Sequence, residues 1–490
     1  MAGRSLTRRA LLSGALYLGF WLLGLAVVLG LAWVPLAQAR YAGGPDLAGL
    51  AAGAGALLVA WSLRPRASWR WSRPEGPEPL AEREAPGLHD LVRQVARRTG
   101  VRPPDEVVLS ARASASIGVE RHRLGLARVR VMELGLPLFA MLTRDELAAV
   151  VAHELGHERG GDVLLGAWVH RTRAALAGAV DDLEGSAFLL DAPFRAYGAL
   201  FLRASGAVSR AQELAADAHA AATCGAGPAW GALHRLEALA PAWSAYLQED
   251  AIPAVERGAR VPLLEGWRRF LSAPALRPGV VRALAAAAEA PPSPGDTHPT
   301  SAARLSALDP RRRQDGPRPG LAGCLDLLGG EAAAEEAWYR RALRQPLPAV
   351  GWDALAGQVL LPGLAADLEG GPLDPARADL ARLPELLRDP AATWQALRRG
   401  VNLLGPAARR QEGLRLLGAW LATALWRRGF EPLARPGAEL LLRRDGLEVE
   451  PWATVAALDE GRLTATAWQA WLESCPPPPG PAADGPAATS

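Results

Sequence analysis

The chain has 490 residues, half of them hydrophobic, which is room for about two to four domains with a sizeable core. All 54 basic side chains are Arg, so chemistry that needs Lys is excluded: a phosphate-binding P-loop, a Schiff base to pyridoxal phosphate, a kinase-type Lys. A net charge of +3 gives no electrostatic case for nucleic acid as a partner, and three scattered cysteines, Cys224, Cys324 and Cys475, argue against a disulfide scaffold or an all-Cys zinc site.

The amino end comes first. Residues 10–39 carry no charge, and Leu11–Val34 is rich in Leu, Val, Gly and Trp. A second uncharged stretch, Leu47–Leu63, sits at the lower limit of the roughly 20 residues that a span requires. Arg4, Arg8 and Arg9 precede the first stretch, and Arg64, Arg66, Arg70 and Arg73 follow the second. Positive charge at both outer ends predicts a transmembrane helical hairpin, with spans of about 11–35 and 46–63, and a cytoplasmic body. Two other readings stay open. Ala37-Gln38-Ala39 has the form of a signal-peptidase site, which would make an exported protein with a cleaved leader. The second stretch could also be an ordinary buried helix.

Residues 65–86, rich in Pro, Arg and Glu, read as a linker. His89–Thr99 has a helical pattern, with Leu91, Val92 and Val95 on one face and Gly100 as a stop. Val107–Leu109 reads as a short strand, and Val129 and Val131, alternating with Arg128 and Arg130, as a second. Helices follow to about residue 290, and Asp309–Gly320 reads as an interdomain linker. Beyond it, residues 321–474 are mostly helical in pattern and include a hairpin, Glu439–Leu442 with Leu447–Glu450, turned at Asp445-Gly446. Residues 476–490 have the composition of a disordered tail.

The chemistry concentrates at one helix. Thr143-Arg144-Asp145-Glu146 has the spacing of a capping box, and the helix it opens contains His153-Glu154-Leu155-Gly156-His157. Residues four apart share a helix face, so both imidazoles can bind one metal ion, with Glu154 beside them to take a proton from a metal-bound water. A third ligand is then needed and a fourth position must stay open. A metzincin-type third His would fall at Val163, which excludes that class. A downstream carboxylate is the other solution, and Glu213 and Asp217, again four apart on a predicted helix, are the best candidates. Glu213 would bind the metal and Asp217 would accept the distal N–H of a ligand His. By itself such a pair is more often a solvated helix face.

With these residues in view, the string from Leu134 through Asp162 resembles the HtpX-like and CAAX prenyl protease (type I) family of zinc metallopeptidases. Ser209-Arg210-Ala211-Gln212-Glu213-Leu214-Ala215-Ala216-Asp217 is similar to the family's second motif, and Thr297-His298-Pro299 with Arg304 to its third. The resemblance implies one zinc ion held by His153, His157 and Glu213, with Glu154 as general base and then general acid. It further implies Asp217 in support of a ligand His, His298 as a donor to the oxyanion, and Asp162 as a brace of the active-site helix. Arg304 reads as an internal ion-pair partner. Relatives hold substrate on an edge strand, and the matching place here reads Ser114-Ala115-Ser116. Charges scattered through residues 163–204 leave no spanning length there, so the chain is expected to be anchored at its amino end alone.

Together these features predict a mainly α (α+β) protein. A membrane anchor and linker occupy residues 1–75, a helical zincin-type metallopeptidase domain with a small β-sheet 76–310, an accessory domain 321–474 and a tail 475–490. The expected partners are the lipid bilayer of the cell membrane and peptide or protein substrates, membrane proteins among them, and no nucleic acid. The rival from another class is a non-catalytic zinc-binding membrane scaffold.

Overall fold

The computed structural model describes residues 2–63, 78–122, 127–159, 192–277, 280–282, 284–285, 299–309, 323–343, 345–397 and 405–475. Among the described residues the protein is mainly helical with two small sheets. It divides into two compact units, one formed by residues 1–240 and 290–341, the other by 241–289 and 342–490. The chain thus crosses between units near 241, 290 and 342, where composition alone places divisions near 76, 310 and 321.

In the first unit, α1 (Ala2–Tyr41) is followed by α2 (Leu47–Ser62). Asp46 caps α2 by accepting the Gly49 N–H at 2.8 Å, and Gln38 accepts the Asp46 N–H at 3.2 Å, which closes the turn. The helices run antiparallel, with glycines at their seam. A side chain at Gly24 would collide with Leu63, and one at Gly53 would touch Pro35. A hairpin therefore forms as expected, but its two arms are unequal. Gly14–Tyr41 is long and apolar enough to cross a membrane. The 16 residues of α2 rise only about 24 Å against about 30 Å of hydrocarbon. Among the described residues there is one helix of spanning length, not two.

The α3 helix (Pro86–Thr99) buries Leu88, Leu91, Val92, Val95 and Ala96 on one face and stops at Gly100, whose φ of +69° suits a residue without Cβ. A three-stranded sheet follows in the order β1 (Glu106–Ser110), β3 (Ala127–Gly135), β2 (Ala115–His122). The β1 and β3 strands are parallel, and β2 is antiparallel to β3, with Ala115 opposite Leu134 and Ser116 opposite Glu133. Thus β2 is an outer strand. Its N-terminal approach is fixed at Gly135, whose N–H donates to the Ser114 carbonyl at 3.0 Å and where any Cβ would collide with the Arg112 carbonyl.

Short α4 (Leu136–Met141) is fully buried and leads into α5 (Arg144–Arg159). The capping box that opens α5 is reciprocal: Glu146 N–H donates to Thr143 Oγ1 at 3.2 Å, and Thr143 N–H donates to Glu146 Oε2 at 2.9 Å. The long Ala192–Cys224 helix lies along α5. Its Phe194 and Phe201 are buried against Phe20 and Val59 of the hairpin, so the first half of this helix rests on α1. Residues 323–341 close the unit. Cys324 N–H donates to the Phe139 carbonyl at 2.6 Å, and the buried Arg341 guanidinium donates to Glu84 at 2.6 Å.

The second unit has its own cores. Trp243, Tyr246, Trp267, Phe270 and Trp352 pack ring against ring, with centroids 5.3–6.0 Å apart. A second core gathers around Leu417, Leu421, Leu425, Phe430 and Trp468. The expected hairpin is present as Leu441–Arg444 and Leu447–Val449, with Asp445 and Gly446 both at positive φ, as a type I′ turn requires.

Candidate metal centre

Three helices of the first unit build the site. On α5, the 3.6-residue period places His153 and His157 one turn apart, with Glu154 next to the first. Ala192–Cys224 supplies Glu213 and Asp217, also one turn apart, and Ser301–Leu308 supplies Arg304. The first two helices meet closely because Gly156 has no side chain. A Cβ there would lie 3.1 Å from His219 Cδ2 and 3.4 Å from Ala216 Cα. The glycine between the two histidines is thus what lets Glu213 come within reach of both.

The donor atoms converge. His153 Nε2 and His157 Nε2 are 3.2 Å apart, and Glu213 oxygens lie 3.6 Å from the first and 3.7 Å from the second. A tetrahedral zinc with bonds of about 2.0–2.1 Å has ligand-to-ligand edges of about 3.4 Å. The separations are of that size, with Oε2 the nearer oxygen to His153 and Oε1 the nearer to His157, and one donor atom from each of His153, His157 and Glu213 lies within 4.8 Å of the others, a group among the described residues that could hold a metal. Two neutral-capable imidazoles and a carboxylate also match zinc in donor type. Glu213 is buried and both histidines are partly buried, so the donors are largely shielded from water.

Around the donors lies a hydrogen-bonded frame. His153 Nδ1 is 2.9 Å from Asp217 Oδ1. Arg304 grips Asp217 with two bonds, Nε to Oδ2 at 2.8 Å and Nη2 to Oδ1 at 2.7 Å, while its Nη1 stands 3.5 Å from Glu213 Oε2. Burial alone would raise the Asp217 carboxyl, but the bonds from Arg304 and His153 outweigh it and hold the group down at about 2. Burial likewise works against a charged His153, yet the Asp217 bond and the nearby charges of Glu154, Asp217 and Glu213 raise it. His157 moves the other way, lowered to about 4 by burial and by the charge of His153.

His153, Glu154, His157, Glu213 and Asp217 are brought to one locus by two packed helices. Ser114 precedes β2, and Ala115 and Ser116 are the first two residues of that outer strand, which also lies against α5. Asp162 and His298 lie outside the described residues. Arg304 pairs with two carboxylates, those of Asp217 and Glu213. Glu146 does more than cap: it is buried and takes Arg235 Nε on both oxygens, at 3.0 and 3.1 Å. A side chain at Gly231 would collide with it, so Gly231 matters to how α5 is seated.

Residues 82–312 match the family model described as Peptidase family M48. The chain is similar to curated HtpX homologues: 36% identical over 102 residues to "Protease HtpX homolog" of Pelotomaculum thermopropionicum, covering 21% of this chain and 34% of the relative. The like-named protein of Pyrococcus abyssi is 35% identical over 101 residues, 21% of this chain and 32% of that one. The homologue from Salinibacter ruber is 30% identical over 176 residues, 33% of this chain and 61% of the relative. The chain therefore spans about a third of the length of the first of these relatives. No solved structure matches it.

Proposed function

We propose that the chain is a membrane-anchored zinc endopeptidase whose catalytic site faces the cytoplasm. The observation that carries the reading is the convergence of His153, His157 and the Glu213 carboxylate, with the two Nε2 atoms 3.2 Å apart, a Glu213 oxygen 3.6–3.7 Å from each, and Asp217 on the far nitrogen of His153. A zinc ion bound there supplies Lewis-acid activation of water and of a peptide carbonyl. Glu154 takes the proton from the attacking water and returns it to the leaving amine. Asp217 keeps His153 in the tautomer that donates from Nδ1 and leaves Nε2 free to bind. His298 supplies a donor to the oxyanion and Asp162 braces α5. The substrate lies as an added strand along the outer edge of β2, starting at Ser114, Ala115 and Ser116, where backbone groups give binding without strict side-chain demands. Membrane attachment is supported by the outer face of α1, where Leu18, Leu22, Leu25, Leu29 and Trp33 are all more than half exposed, a stripe that hydrocarbon would cover. A cytoplasmic body further requires that the shorter α2, followed by Arg64, Arg66, Arg70 and Arg73, return the chain through the bilayer, which arginines at both outer ends of the hairpin favour. Substrates of the protein class, membrane proteins included, follow from this placement.

The test is Glu154→Gln, assayed for zinc content and for hydrolysis of an unstructured protein such as casein in detergent. The variant is expected to keep one zinc and to lose at least about 10²-fold in rate. Cleavage at the wild-type rate would refute the role of Glu154, and zinc-loaded wild type without any cleavage would favour the scaffold.

A further inference from the structure

We infer that Arg304 is a positioning residue of the metal centre: its planar fork fixes the Asp217 carboxylate so that His153 presents Nε2 to the metal, and it separates Asp217 from Glu213. This rests on the reading of His153, His157 and Glu213 as the ligands. The geometry is specific. Asp217 Oδ1 is shared by His153 Nδ1 at 2.9 Å and Arg304 Nη2 at 2.7 Å, and Oδ2 is taken by Arg304 Nε at 2.8 Å. Both oxygens are thus occupied, and the carboxylate cannot turn without breaking a charged hydrogen bond. The same guanidinium reaches Glu213 Oε2 through Nη1 at 3.5 Å. Glu213 and Asp217 are buried like charges one helical turn apart, an arrangement that repels unless a cation lies between them.

The fork arrives on a helix built to deliver it. Ser301–Leu308 is capped by Thr300, whose Oγ1 accepts the Ala303 N–H at 3.3 Å, and is pinned by buried Leu305, the residue after Arg304. Two opposed effects on metal affinity follow. A cation beside the site repels a divalent metal, so losing Arg304 by that effect alone would tighten binding. Loss of the fork frees Asp217 and disorders His153, which would weaken it. The packed geometry makes the second effect the larger. Lys cannot replace the fork, because an ammonium is a point charge and cannot bond both oxygens in one plane. Arg304 touches no reacting atom and acts only through Asp217 and Glu213.

The experiment is zinc affinity by chelator competition on the full-length chain in detergent, for wild type, Arg304→Gln, Arg304→Lys, Asp217→Asn and the Arg304→Gln/Asp217→Asn double variant. Thermal melts of the metal-free proteins run alongside. Arg304→Gln and Arg304→Lys are both expected to bind zinc about 10–100-fold more weakly than wild type. The double variant should bind no more weakly than Asp217→Asn alone, since the two residues act as one unit. Wild-type affinity in Arg304→Lys, tighter binding in Arg304→Gln, or additive losses in the double variant would each overturn the inference. Should Arg304→Gln fail to fold, Arg304→Lys decides by the same comparison. If wild type itself binds no stoichiometric zinc, the ligand assignment fails first and this inference falls with it.

Discussion

Shortening Glu213 to Asp tests the third ligand by length alone. The substitution keeps the charge and removes one methylene, which withdraws the carboxylate by about 1.5 Å. The separations of 3.6 and 3.7 Å to His153 and His157 then grow to about 5 Å, beyond the roughly 3.4 Å edge of a zinc tetrahedron. Structural zinc sites with four ligands bind with about 10–16 kcal/mol, so one ligand is worth on the order of 3 kcal/mol, or about 10²-fold in affinity. Glu213→Gln keeps the length and removes the charge, and should lose a similar amount. Chelator competition in detergent reads both, with circular dichroism to show that the helices persist. Should both variants hold zinc within about threefold of wild type, the ligand would have to be another residue and the argument from the donor triangle would be wrong.

Three further outcomes can be checked. Gly156→Val pushes a branched side chain into a seam where even a Cβ meets His219 at 3.1 Å, so it should cost about 1–3 kcal/mol and loosen zinc binding. Gly156→Ala should be close to neutral in stability because helix propensity returns about 1 kcal/mol. Unchanged denaturant midpoint and zinc affinity in the Val variant would contradict the close approach. Glu146→Ala removes the capping box together with the Arg235 pair, and should lower stability by about 2 kcal/mol, against about 1 for Thr143→Ala. Equal losses in the two melts would show that the Arg235 pair contributes nothing. In the second unit, burial pushes Asp250 up to about 6, in spite of Arg277 at 3.0 Å and the Gly437 N–H at 3.0 Å. The folded state then holds a proton that the unfolded chain has lost, so stability falls as pH rises from about 4 to 6, by on the order of 3 kcal/mol. Asp250→Asn should flatten that step in the melting temperature, and parallel pH profiles for the two proteins would contradict it.

Local chemistry was readable from the sequence wherever helical spacing carried it. Thr143 and Glu146 announce the start of α5, His153 and His157 share a face by period, and Glu213 with Asp217 repeat that spacing on a second helix. Nothing local could tell that the last pair is not a solvated face. Burial against α5 decides it, and that depends on Gly156, whose importance lies in the neighbour it admits. Arg304 is 87 residues from Asp217, and its fork is visible only once three helices are packed. The full β2 strand, Ala115–His122, was harder to read because Gly118 and the charged residues Glu120 and Arg121 dilute its alternation. Pairing with β3 makes it a strand, a long-range effect that outweighs propensity. The bonds of Arg341 to Glu84 and of Cys324 to Phe139 join residues more than 180 positions apart, which no local pattern announces. The hairpin at Asp445-Gly446 was legible for the opposite reason: its turn demands positive φ at adjacent residues, and few pairs accept that.

Zinc-edge X-ray absorption, with metal counted per chain on the full-length protein, addresses the metal centre most directly. One zinc per chain is predicted, with two imidazole nitrogens at about 2.0–2.1 Å and a carboxylate oxygen at about 2.0–2.2 Å. The carboxylate contribution should vanish in Glu213→Gln. Substoichiometric metal, a shell containing sulfur, or a shell unchanged by that substitution would contradict the assignment of His153, His157 and Glu213.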